Sequence, residues 1–284
     1  MHTPAAGPIL SELRGPVGWI TIARPERFNS LDVSTARDLR RAALRLARDE
    51  AVRCVVLAGQ REVFCSGVDL KYVREGGRAD DLAYLAPGAA TAQARSGAIF
   101  KQILEYVNGA ISEIRRAPKP FVAAVEGVAA AGGLGLALCC DLVIASERAS
   151  FEWAYGKSGL SGAESATFLI PRLIGLRGAL DLALLNPRLD AAAALRRGLV
   201  SEVFPAAEFE AEVAALATRL GEAPTGAVAR MKRLVNRAVG MEALEDHLGA
   251  EVEALVESAD SPEFAEGLAR FLDRSRRSDA GKGS

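Results

Sequence analysis

Ala123–Asp141, AAVEGVAAAGGLGLALCCD, is the stretch on which the reading of this chain turns. It contains the end of a short apolar run, Phe121–Val125, which follows Pro118 and Pro120 and predicts a buried strand. A turn punctuated by Gly132 and Gly133 comes next. Leu134–Cys140 then carries only small or apolar side chains and predicts a fully buried helix. Residues as small as Ala and Gly let another backbone, or a ligand, reach the main-chain N–H groups of such a turn. A helix N-terminus placed there offers unpaired N–H groups to a developing negative charge. The stretch therefore predicts an anion-stabilising turn built from backbone.

A second turn of this kind, Ser66-Gly67-Val68-Asp69, lies between the apolar strand Cys54–Ala58 and a short helix. Either turn alone reads as a packing turn. Together they could aim two N–H groups at one oxygen, as acyl-transfer enzymes do, and the spacing leaves their convergence open.

Working outward, strands are expected at Val17–Ala23, Cys54–Ala58, Phe121–Val125, Leu142–Ala145, Ala149–Phe151 and Val200–Phe204. Helical spacing predicts Val33–Glu50, Ala98–Arg116, Ser165–Leu173, Arg177–Leu185 and Ala191–Arg197, with Asn29 or Ser30 as cap of the first. This alternation implies an α/β class with parallel pairing. From Glu208 onward only helices are expected: Glu208–Leu220, Thr225–Val239, Met241–Asp260 and Pro262–Arg274. The expected organisation is an α/β core over residues 1–205 and a helical region over 206–284. Arg74–Gly97 lacks periodicity and reads as a mobile loop or lid.

Composition narrows the chemistry. The net charge is −1, with acids and bases interspersed, so no nucleic-acid footprint is expected. Apolar runs fall short of the roughly 20 residues a membrane span needs, and the N-terminus has no leader pattern. The four cysteines, Cys54, Cys65, Cys139 and Cys140, show no CxxC or zinc spacing, and reduced thiols and a cytoplasmic location fit best. Only His2 and His247 are present, so neither a Ser–His–Asp mechanism nor a His-ligated metal site is expected. Acid–base work falls to Asp, Glu, Tyr, Lys or backbone-bound water. Gly132-Gly133-Leu134-Gly135 misses the dinucleotide spacing, and Gly156-Lys157-Ser158 lacks the first glycine of a phosphate loop.

Five pieces, in order, resemble the crotonase (enoyl-CoA hydratase/isomerase) superfamily. They are ITIARPERFNSLD, FCSGVDLK, KPFVAAVEGVAAAGGLGLALCCDLVIAS, GLSGAESATFLIPRLIG and RLDAAAALRRGLVSEVFP. The resemblance implies a ββα superhelical spiral with a C-terminal helical trimerisation region, and a homotrimer or dimer of trimers. It implies an acyl-CoA substrate, with coenzyme A entering only as part of the thioester and no permanently bound cofactor. Residue by residue, it sets the donors to a thioester enolate at the N–H groups of Val68 and Gly132. Arg27 and Phe28 fall in the CoA-side loop, and Ser66, Gly67, Asp69, Leu70 and Lys71 line the thioester and adenine side.

The chain departs from the hydratase pattern where the reaction is decided. The resemblance sets Gly135 and Tyr155 at the positions of the two hydratase glutamates. Gly135 suggests space or close backbone approach, and with the 74–97 segment it suggests a branched, aromatic or cyclic acyl group. Tyr155 reads as an aromatic wall in preference to a hydrogen-bond donor. Glu164 remains as the candidate acid/base, one residue past Ala163, which aligns with an aspartate used by related isomerases and dehalogenases; its other reading is a helix N-terminal residue favoured by the dipole. Asp69 reads as a cap, Asp141 as structural and Glu126 as a surface or interface residue. The expected activity is double-bond isomerisation or hydration of an enoyl-CoA. A hydrolase or carbon–carbon lyase on a β-keto or aryl acyl-CoA, and an acyl-CoA-binding protein with little turnover, stay open as alternatives.

Overall fold

A computed structural model of the chain describes residues 7–82 and 95–280. The ten strands among these residues are β1 (Ile9–Arg14), β2 (Val17–Ile22), β3 (Cys54–Gly59), β4 (Val63–Cys65), β5 (Phe121–Val125), β6 (Val128–Ala130), β7 (Leu142–Ser146), β8 (Ser150–Glu152), β9 (Leu189–Asp190) and β10 (Glu202–Phe204). The helices are α1 (Val33–Arg48), α2 (Leu70–Arg74), α3 (Ala79–Leu82), α4 (Ser96–Arg116), α5 (Gly132–Leu138), α6 (Ala166–Leu185), α7 (Ala191–Arg197), α8 (Phe209–Glu222), α9 (Thr225–Ala238), α10 (Leu244–Ala259) and α11 (Pro262–Ala280).

Six strands form one sheet in the order β1-β2-β3-β5-β7-β10, and four form a smaller one in the order β4-β6-β8-β9. Within the large sheet only β1 runs antiparallel to its neighbour; in the small sheet only β9 does. The chain lays a strand in the large sheet, turns into a short strand of the small one, and returns through a helix. Repetition of that step produces a ββα spiral.

Both faces of the large sheet are covered, which is why its central strands read as continuous apolar runs. On β3, Val55 and Leu57 point into the main core while Cys54 and Val56 point to the opposite face. On β5, Phe121, Ala123 and Val125 enter the main core, and Val122 and Ala124 point away. Phe209, Val213, Leu216 and Ala217 of α8 cover that outer face. Residues of the last two helices, including Leu244, Leu255, Phe264 and Leu268, belong to the main core.

Several sequence expectations need correction. Asp32, not Asn29 or Ser30, caps α1 by accepting from the Thr35 N–H at 2.8 Å. Asn29 instead pins its loop, accepting from Arg24 N–H at 2.8 Å and donating to the carbonyls of Gln60 and Val63. The proposed lid is partly regular: Arg74 ends α2, residues 79–82 form α3, and α4 starts at Ser96. Residues 83–94 of that segment lie outside the described residues. The expected break between Leu173 and Arg177 is present as a kink at Gly175, with φ 75°, inside α6. Among the described residues no helix is long and apolar enough to cross a membrane.

Candidate active site

The two glycine turns meet. Gly67 leaves β4 with φ +91°, a conformation open chiefly to glycine, and a Cβ there would lie 3.0 Å from both the Gly132 nitrogen and the Ala131 Cβ. A Cβ on Gly133 would stand 2.0 Å from the Cys65 carbonyl oxygen. Missing side chains on both sides thus bring the end of β4 against the start of α5. Ala131 itself holds φ 48° and ψ −122°, a region costing of the order of 1–3 kcal/mol for a non-glycine residue. That strained residue turns the chain from β6 into α5 so that Gly132 is its first residue.

Gly132 N–H, at the first helical position, has no intrahelical acceptor. Neither it nor the Val68 N–H donates to any acceptor among the described residues. Val68 is held by the residues flanking it: Leu31 N–H donates to the Gly67 carbonyl at 2.8 Å, and Asp69 N–H donates to the Leu31 carbonyl at 2.9 Å. Both turns border a cavity of about 370 Å³ whose lining includes Ser66, Val68, Ala131 and Glu164.

Glu164 is 1 % exposed and points at this turn. A Cβ on Gly132 would fall 2.6 Å from its Oε1. The Tyr155 hydroxyl donates to Glu164 Oε2 at 2.5 Å and also lies 3.0 Å from the Ala163 carbonyl oxygen. Burial pushes the Glu164 carboxyl up to about 7, the Tyr155 hydrogen bond pulls it down, and the charge of Glu251 adds to the rise. The Tyr155 phenol is raised well above its ordinary value, first by burial and then by Glu164. Tyr155 is therefore both part of the cavity wall and a hydrogen-bond donor to Glu164; its ring also packs edge-on to Trp153 at 5.0 Å.

Gly135 does not open room for an acyl group. A Cβ there would lie 2.0 Å from the Glu164 carbonyl oxygen, so the backbone of residue 164 fills the place. Nor is Glu164 a first-turn helix residue: Glu164 and Ser165 hold φ 52° and 64°, and α6 begins at Ala166.

The other acids of the cavity lining are engaged or exposed. Asp69 caps α2 through the Tyr72 N–H and takes both arms of the Arg27 guanidinium, at 2.7 and 2.9 Å, with Arg24 at 3.3 Å. Glu152 pairs with Lys157, and Glu26 is exposed. Phe28, 65 % exposed at φ 53°, stands beside Arg27, and Lys71 pairs with no acid among the described residues. Leu70 and Ser66 also border the cavity. Asp141 lies elsewhere, accepting from Phe121 N–H and pairing with Lys232 at 2.7 Å.

The model of the enoyl-CoA hydratase/isomerase family matches residues 12–278. The chain belongs to the enoyl-CoA hydratase/isomerase family. It is 32 % identical over 264 residues to 4-chlorobenzoyl coenzyme A dehalogenase-2 of an Arthrobacter species, covering 93 % of this chain and 90 % of the relative. To 1,2-epoxyphenylacetyl-CoA isomerase of Escherichia coli K12 it is 31 % identical, covering 93 % and 95 %. A crystal structure of an enoyl-CoA hydratase from Mycobacterium avium subsp. paratuberculosis superposes with a TM-score of 0.80 at 33 % identity, over 94 % of this chain and all of that one. Membership of the family agrees with the spiral described above and with the order of the five sequence pieces.

Sequence reasoning missed Phe100 of α4, Leu160 of the loop before α6 and Leu255 of α10, which add apolar surface to the cavity. It also missed Glu251 of α10, whose carboxylate bonds to Ser165 and Thr167 beside Glu164. An acid within an amphipathic helix carries no local signal of such a contact.

Proposed function

We propose that this protein is an acyl-CoA isomerase: it stabilises a thioester enolate with the N–H groups of Val68 and Gly132 and moves the proton with Glu164. The observation that carries this reading is the Glu164 carboxyl, buried against Gly132 and raised to about 7. An acid with that proton affinity is half ionised near neutral pH, where a group that must both take and return a proton works best. As carboxylate it would remove a proton from the acyl chain. The electron pair would pass to the thioester oxygen, held by the two N–H groups, and the acid would return the proton at another carbon. Tyr155 would keep the carboxyl aimed during both transfers. Water addition through Glu164 alone is the second outcome of the same chemistry.

The adenine and phosphates of coenzyme A would lie toward Phe28 and Lys71. Arg27 would act there through its pairing with Asp69, which sets the shape of the loop. No permanently bound cofactor enters this scheme. The 1,2-epoxyphenylacetyl-CoA isomerase and 4-chlorobenzoyl coenzyme A dehalogenase relatives, with the apolar walls of Phe100, Leu160 and Leu255, favour a cyclic or aromatic acyl group. The dehalogenase relatives also support a second reading, a hydrolase on an aryl acyl-CoA. The exposed leucines Leu176, Leu180 and Leu184 of α6 and Met231 and Leu234 of α9 support a homotrimer or dimer of trimers. Four buried, unpaired cysteines fit a cytoplasmic location.

The test is turnover of a panel of 2-enoyl-, 3-enoyl-, dienoyl- and aryl-CoA thioesters, with product identified by mass. Isomerisation gives a new chromatographic peak of unchanged mass, hydration adds a water, and hydrolysis of an aryl halide releases halide. Glu164→Gln should lower kcat by about 10²–10⁴-fold on whichever substrate reacts; full activity in that variant would remove Glu164 from the mechanism.

A further inference from the structure

Glu251 lies on α10, 86 residues beyond Ser165, yet its carboxylate sits at the start of α6. Its Oε2 accepts from Ser165 N–H at 2.8 Å, and its Oε1 accepts from Thr167 N–H at 3.0 Å and from the Thr167 hydroxyl. A helix ordinarily satisfies its first N–H groups with a local Ser, Thr, Asp or Asn side chain. Ser165 occupies that position here, but its own hydroxyl is buried without a partner. The capping is supplied from a distant helix.

The segment capped this way is strained. Glu164 and Ser165 are consecutive non-glycine residues at positive φ, 52° and 64°. Each costs of the order of 1–3 kcal/mol and persists only where its surroundings over-determine it. Gly135 presses on this turn from one side, leaving no room for a Cβ beneath the Glu164 carbonyl, and Glu251 grips it from the other. Glu251 is itself 4 % exposed. Burying a carboxylate is unfavourable unless hydrogen bonds compensate, and here the compensating donors are those of the strained turn.

We propose that Glu251 is a positioning residue for the reaction: from α10 it clamps the Glu164–Ser165 turn and so holds the Glu164 carboxyl against Gly132. This role rests on the reading of Glu164 as the group that moves the proton. The groups facing Glu164 are Tyr155 from the short turn after β8, Cys65 from β4 and Glu251 from α10. Glu251 in turn faces His247 of its own helix, whose Nε2 lies 3.9 Å from Oε1 and 2.8 Å from the Thr167 hydroxyl oxygen. Because that hydroxyl donates to Glu251, it accepts from His247, which places the imidazole proton on Nε2. The charge of Glu251 also raises Glu164, so the clamp bears on both the aim and the proton affinity of the carboxyl.

The experiment uses full-length protein labelled with ¹³C-glutamate at the side-chain carboxyl. Glu164→Gln identifies the Glu164 resonance by its disappearance. In Glu251→Gln the Glu164 midpoint should fall measurably below its wild-type value, and kcat on the best acyl-CoA should fall at least about tenfold with KM little changed. Glu251→Asp should recover part of both. Thr167→Val, which leaves the two backbone bonds in place, should move both readouts less and in the same direction. A wild-type Glu164 midpoint and wild-type kcat in Glu251→Gln and Thr167→Val would overturn the proposal. Full turnover by Glu164→Gln, with the Glu164 midpoint still shifted by Glu251→Gln, would instead remove the proton-transfer reading and leave the clamp.

Discussion

The carbonyl oxygen of Glu164 lies 2.0 Å from the point where a Cβ on residue 135 would stand. The small residue of α5 and the acid ahead of α6 are therefore one feature: the turn that carries the carboxyl can sit where it does only because α5 has a glycine beneath it. At the position of Gly132, one helical turn earlier, the same acid's Oε1 would be 2.6 Å from a Cβ.

Gly135→Ala should accordingly do more harm than its chemistry suggests. In an ordinary helix the change stabilises by about 1 kcal/mol. Here the added methyl must displace backbone, and overpacking of this kind costs about 1–3 kcal/mol. Urea denaturation should show a net loss of stability, and turnover should fall because the Glu164 turn is pushed away from Gly132. A variant as stable and active as wild type would contradict the packing described.

The exposed leucines of α6 give a prediction that does not depend on catalysis. Leu184 and Leu176 are 76 % and 68 % exposed in the single chain. If self-association covers them, Leu184→Lys with Leu176→Lys should shift the protein from trimer or hexamer toward monomer in sedimentation velocity. Stability of the single chain should change little, because neither side chain belongs to its core. An unchanged sedimentation coefficient would show that this face is not the interface.

Much of the fold was legible because both faces of the large sheet are covered, so that its central strands appear as unbroken apolar runs. The strands β4 and β6 were not, since each is three residues long and runs directly into a glycine turn, so that strand and turn read as one segment. Strand β1 was missed because ILSELR alternates poorly and its outer half is exposed. The two glycine turns could be picked out, but their meeting could not: the contact of Gly67 with Gly132 is a property of the spiral and leaves no local trace. The same holds for the partners of Glu164. The sequence could nominate Tyr155 and Gly135 by position, while the hydroxyl bond and the carbonyl contact that explain them depend on long-range packing.

Tyr155→Phe isolates the hydroxyl bond. The ring and its packing against Trp153 should survive, and stability should change by little more than one hydrogen bond, about 1 kcal/mol. The bond favours the ionised form of Glu164, so its loss should raise the carboxyl above its wild-type value near 7. The acidic limb of the kcat/KM profile should then move upward by about 1 unit, with turnover at neutral pH reduced. A limb that stays in place would mean that the hydroxyl does not bear on the reacting carboxyl.

The proton affinity of Glu164 should also be readable from folding alone. Its ordinary value is 4.5 and burial raises it to about 7 in the folded chain. Below pH 4.5 the group is protonated in both states and imposes no penalty. Between these values the unfolded chain has released the proton while the folded chain still holds it, so raising the pH favours unfolding; above about 7 the penalty is complete. A shift of that size corresponds to about 3 kcal/mol. Other groups add slopes of both signs, Glu251 being raised and Asp32 lowered, so the quantity to follow is a difference. The stability of Glu164→Gln minus that of wild type, from urea denaturation at matched pH, should increase between pH 4 and pH 8 by an amount of this order. Glutamine has no proton to lose, so its own curve lacks the term. Parallel curves for the two proteins across that range would mean that the carboxyl is not held in its protonated form, and with it would go the physical basis for Glu164 both taking and returning a proton.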